Sequence, residues 1–152
     1  MKMPKRLRQK ILDKWVSFYA PYLGARIKLT KTSKDNRYCR VEMPLTFLNK
    51  NYVGTHFGGS LYSMVDPWYM LMLIKNLGDD YIVWDKAAYI QFKKPGTSLV
   101  HAEFHLTQEI IDDIKNELKT KSKMDKNFLV EIKDDLGNVI ASVDKTIYIR
   151  RK

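Results

Sequence analysis

The chain has a single cysteine, Cys39, in 152 residues, which excludes an internal disulfide and a cysteine-built zinc site. It has no apolar run long enough to cross a bilayer as a helix. The longest, Leu61–Ile74, contains Asp66 and Pro67 and falls short of the ~20 residues a spanning helix needs. The start, MKMPKRLRQKILDKW, is basic, but the apolar core of a secretory signal does not follow it. No internal repeat marks a solenoid or propeller. These absences lead us to expect a reduced, cytoplasmic, soluble protein. What is present is ordinary: 45% hydrophobic and 29% charged residues exclude a disordered or collagen-like chain. The length suits one domain, residues 1–152, that buries roughly 70% of its unfolded surface.

Charge is unevenly placed. The net charge is +10, and the excess lies within residues 1–50, while residues 51–152 balance. A basic segment can serve nucleic acid, an anionic membrane or a phosphorylated small ligand, or simply keep the surface solvated.

Periodicity gives the elements. Leu7, Ile11, Leu12, Trp15, Phe18 and Tyr19 recur at helical spacing, so residues 4–19 of an N-terminal basic segment (1–24) should form an amphipathic helix ended by Pro21 and Gly24. Residues 25–34 and 37–43 read as strands around a turn at Lys34-Asp35-Asn36; Cys39, Val41 and Met43 share the buried face. A glycine-containing loop, NKNYVGTHFGG, precedes a long apolar helix from about Gly59 to Leu77, closed by Gly78. Strand-like stretches follow at 81–93, 98–107, 127–134 and 138–150, with turns at Pro95-Gly96 and Asp135–Asn138. Between the two pairs, 109–124 reads as a short exposed helix. A helix apolar nearly all round must be buried, and six antiparallel strands curled around it would bury it. The fold class is therefore α+β.

Asp66 stands out in LYSMVDPWYMLMLI. A buried carboxylate is unfavourable unless paired or functional. Pro67 adds a second irregularity, since it withholds the hydrogen bond that the Ser63 carbonyl would accept. Asp followed by Pro also fits the cap of a second helix. Gly58-Gly59 allows close approach of a ligand to free N–H groups at the helix start, which suits a developing oxyanion. Asp66 lies about two turns after Gly59, on the same face and roughly 10 Å along the axis.

Asn51-x-x-Gly54-Thr55-His56-Phe57-Gly58-Gly59, with Asp66 following, resembles the hotdog-fold thioesterases, especially those of the phenylacetate pathway. GTHFGGSLYSMVDPWYMLMLIKNLG with YIVWDKAAYIQFKKPG is similar to a bacterial branch of hotdog proteins assigned as acyl-CoA thioesterases. The resemblance implies an antiparallel sheet of about six strands wrapped around one long central helix, with active sites between two subunits. It implies that Asp66 is the general base or nucleophile, that Gly59 and Gly58 polarise the thioester carbonyl, and that Asn51 orients substrate or water. Those of the phenylacetate pathway carry histidine directly before the glycine pair; here Phe57 stands there and His56 is one residue earlier, where it either takes part or is a structural loop residue.

The implied reaction is hydrolysis of an acyl-CoA thioester. Coenzyme A enters as part of the substrate, and no cofactor or metal is required. Tyr62, Trp68 and Tyr69 are candidates to line the acyl pocket. Lys86, Lys93 and Lys94 are candidates to meet the coenzyme A phosphates as point charges, or are solvated strand-end lysines. A homodimer or a tetramer (dimer of dimers) is expected, joined edge to edge through the sheets. His101, Glu103 and His105 alternate on one strand face, but Val100, Ala102, Phe104 and Leu106 take the core side, so that face reads as ordinary surface. Two alternatives remain: a hydratase or dehydratase on hydroxyacyl thioesters using His56 with Asp66, and a non-catalytic acyl-CoA or lipid-binding module. No nucleic-acid motif accompanies the basic segment.

Overall fold

The computed structural model describes residues 18–152. The expected helix over 4–19 lies essentially outside them. Within them, Pro21 and Gly24 do not end a helix but lie inside a short one, α1 (Ala20–Ala25). Proline is accommodated in a first helical turn, where its missing N–H has no intrahelical partner to lose. Arg26, at φ +58, closes α1, which is why the first strand begins later than the sequence suggests.

Six strands follow the expected order: β1 (Lys28–Thr32), β2 (Tyr38–Met43), β3 (Tyr81–Phe92), β4 (Val100–His105), β5 (Lys123–Asp134) and β6 (Val139–Arg151). They form one sheet, ordered β1-β2-β4-β5-β6-β3, and every paired neighbour is antiparallel. β3 is therefore an edge strand.

The expected long helix is two consecutive segments, α2 (Gly58–Val65) and α3 (Trp68–Leu77). Asp66 and Pro67 between them keep right-handed helical dihedrals, and the ladder resumes with Leu71 N donating to Pro67 O. The helix is interrupted at the proline rather than redirected into a loop. Tyr22 of α1 donates its hydroxyl to the Ser63 carbonyl that Pro67 orphans, and the Trp68 indole N–H donates to Met64 O.

Leu61, Met64, Val65, Met72 and Leu73 pack against the inward rows of β2, β4, β5 and β6, with Cys39 and Phe104 among them. The connection after β4 is a helix as expected, α4 (Gln108–Glu117), capped by the Thr107 hydroxyl on Ile110 N. It is not simply exposed: Ile111, Ile114 and Leu118 are buried, because its apolar stripe docks while the charged face meets solvent.

Candidate functional site

Asp66 ends α2 with its carboxylate turned away from any capping role; α3 begins with no side-chain cap. Asp66 Oδ1 accepts the Tyr62 hydroxyl at 2.7 Å and the Lys145 ammonium at 2.8 Å. No described residue donates to Oδ2. The expectation of a buried carboxylate is corrected: the side chain is 43% exposed, with only one of its oxygens held by the interior.

Lys145 is the partner that sequence reading missed. It lies on β6 in the inward row of Val143, Ile147 and Ile149, and its side chain is 1% exposed. Its Nζ also lies 2.7 Å from Asp85 Oδ1. That contact is ionic, as Asp85 Oδ1 has no well-aligned hydrogen-bond donor. A bulge in β3 at Lys86 shifts the register between Asp85 and Ala87, and such a bulge re-aims neighbouring side chains. Burial alone would lower the Lys145 pKa, but the two carboxylates it meets, Asp66 and Asp85, together outweigh it and hold it above the ordinary lysine value. One cation faces two carboxylates, and Asp85 is pushed up, chiefly by burial, against the pull of Lys145.

A separate cleft of about 420 Å³ gathers Asn51, Thr55, His56, Gly58 and Leu61 with Phe92, Lys93, Lys94, Pro95 and Gly96. Phe57, at the α2 N-cap, supplies no side-chain cap, so the Gly58 and Gly59 N–H groups keep the unpaired state of a first helical turn. A β-carbon on Gly58 would lie 2.9 Å from the Phe92 ring, and one on Gly59 would collide with the Phe57 ring. Both rings are half exposed and rest directly on the glycine backbone.

Asn51 is committed to its own loop. Its Oδ1 accepts from Val53 N and Thr55 N, and its Nδ2 donates to Thr55 Oγ1 and His56 O. His56 is 3% exposed, with Nε2 2.8 Å from Ser98 O and Nδ1 unpartnered. Burial lowers its pKa, opposed by the hydrogen bond to Ser98. Among the expected pocket residues, Trp68 packs on Tyr22 and Phe104 in the core. Tyr69 stacks on Phe128 and floors a second cleft between β4 and β5. Neither opens toward the glycine cleft within one chain, because α3 turns them to the sheet. Lys86 is paired with Asp125, whereas Lys93 and Lys94 reach only the neutral Gln91 and Asn138. Glu103 is held by Tyr38 and Arg40.

The structure thus brings Asn51, His56, Gly58, Lys93 and Lys94 into one cleft. Asp66, Tyr62 and Lys145 form a second cluster and do not line that cleft.

The family model described as a domain of unknown function (DUF4442) matches residues 8–149. No curated protein is significantly similar in sequence. Among solved structures, a Pseudomonas aeruginosa protein of unknown function, described as a "probable thioesterase", is 19% identical, with TM-score 0.78, covering 100% of this chain and 99% of that one. A Haemophilus influenzae thioesterase is 12% identical, with TM-score 0.66 and coverage of 93% and 90%. The Escherichia coli PaaI protein of the phenylacetic acid degradation operon is 15% identical, with TM-score 0.62 and coverage of 95% and 94%. The fold is the hotdog fold.

Proposed function

The chain belongs to the DUF4442 family, and from that premise and the site geometry we propose that it is a thioesterase that cleaves an acyl-CoA to the free acid and coenzyme A. The observation that carries this reading is Asp66: a half-exposed carboxylate beside the helix interruption, with one oxygen held and the other free. In this reading Oδ2 takes a proton from water as the water oxygen attacks the thioester carbon. The N–H groups of Gly58 and Gly59, at the positive end of the α2 dipole, stabilise the resulting oxyanion. The C–S bond then breaks, and the thiolate takes the proton back from Asp66.

Because Asp66 does not line the glycine cleft of its own chain, the complete site joins Asp66 of one copy to the cleft of a second. The exposed edge of β3, carrying Trp84, Tyr89 and Phe92 at its surface, is the element through which two sheets would join. Lys93 and Lys94, which form no ion pair with a carboxylate among the described residues, are placed to meet coenzyme A phosphates. Phe57 and Phe92, resting beside the glycines, replace Trp68 and Tyr69 as candidates to contact the acyl group. The hydratase reading is less favoured, because His56 is buried and its Nε2 is engaged by Ser98. No helix among the described residues is long and apolar enough to cross a membrane.

The test is a screen across acyl-CoA chain lengths with free thiol as the readout. Hydrolysis of at least one member is expected. Binding without hydrolysis across the series would contradict the reading and favour an acyl-CoA-binding module.

A further inference from the structure

Lysine is almost never fully buried unless it is paired, and replacing a buried ion pair by apolar side chains is often neutral or stabilising. A lysine in the inward row of β6 therefore calls for a reason beyond stability. The reason lies in where its hydrogen bonds go. Lys145 Nζ and the Tyr62 hydroxyl both approach Asp66 Oδ1, at 2.8 and 2.7 Å, and they are also 3.3 Å from each other. The ammonium comes from the buried side, where Lys145 is 1% exposed, and the carboxylate opens to the other, where Asp66 is 43% exposed.

We propose that Lys145 is a positioning residue for Asp66. It fixes Oδ1 toward the interior, so that Oδ2 is held outward as the oxygen that exchanges protons with water. A carboxylate held by one neutral donor can rotate about its terminal torsion, whereas two donors on one oxygen, one of them charged, remove that freedom. Asp85, on the far side of the ammonium, makes the lysine tolerable in the core and holds it in place. The inference rests on the thioesterase reading of Asp66 and adds to it the residue that aims the base.

The test uses the full chain and four variants: Lys145→Met, Lys145→Met/Asp85→Asn, Asp66→Asn and Asp66→Asn/Lys145→Met/Asp85→Asn. Lys145→Met alone strands the Asp85 carboxylate and is expected to destabilise the fold; the Lys145→Met/Asp85→Asn pair removes both charges of that ion pair and should melt near the wild type. Its kcat should fall by roughly 100-fold, the scale of a mispositioned catalytic group, with KM nearly unchanged. Adding Lys145→Met/Asp85→Asn to Asp66→Asn should lower kcat no further, since Lys145 acts only through Asp66. A purely structural lysine would give additive losses instead. A folded Lys145→Met/Asp85→Asn protein with wild-type kcat, beside an impaired Asp66→Asn, would overturn this inference alone. Unimpaired Asp66→Asn, or a wild type without hydrolysis, would overturn both it and the thioesterase reading.

Discussion

Tyr22 donates its hydroxyl to the backbone carbonyl of Ser63 across 3.1 Å, and Ser63 is the residue whose carbonyl Pro67 deprives of a donor. A side chain from α1 thus repairs the helix at the point where Asp66 emerges. Burial raises the Tyr22 pKa, so the phenol stays protonated and able to donate.

This repair is measurable. Tyr22→Phe keeps the ring against Trp68 but leaves the carbonyl unsatisfied, and should destabilise the protein by about 1–3 kcal/mol in chemical denaturation. In a Pro67→Ala background, the restored N–H can reach the Ser63 carbonyl, and the same substitution should have a much smaller effect. Equal losses in both backgrounds would contradict the relationship.

His56 should make stability depend on pH. Burial holds its folded pKa below the ordinary histidine value. A depressed folded pKa contributes stability that is present above the unfolded value of about 6.5 and lost as pH falls through the folded one. Thermal melting should therefore decline on acidification below about pH 6.5. His56→Gln, able to donate to the Ser98 carbonyl without titrating, should remove that part of the slope. An unchanged slope in the variant would assign the effect to other groups.

A site shared between two copies can be tested by mixing. Asp66→Asn removes the base, and Gly58→Val places a branched side chain where the Phe92 ring lies. Each variant alone should be inactive. Co-refolded together, half of the dimers are mixed, and each mixed dimer carries one intact site, so about a quarter of wild-type activity should return. No recovery, with mixed dimers demonstrated, would contradict a shared site.

Much of the fold was legible in the sequence because alternation and helical spacing are local. Val100, Ala102 and Phe104 marked their strand's inward face, and Gly78 marked the end of the central helix. The interruption at Pro67 was readable, but its repair by Tyr22 was not, since that contact joins residues 41 apart. The site was legible in part. Asp66 was conspicuous, yet its partner Lys145 was not, because a run of neighbours in sequence says nothing of what faces them from another strand. Lys145 did leave a signal: it interrupts the row Val143, Ile147, Ile149 with a charge. Asp85 left a fainter one, since the bulge at Lys86 breaks the two-residue period on which such a reading depends.

The most direct measurement is the turnover of Asp66→Asn against wild type on the best acyl-CoA substrate. The variant should fold, because Asp85 and Tyr62 remain beside Lys145. Its kcat should fall by at least ~100-fold, as expected for loss of a positioned base, while KM changes little because the lost interaction belongs to the transition state. A folded Asp66→Asn protein that hydrolyses the thioester at near wild-type rate would contradict the role assigned to Asp66.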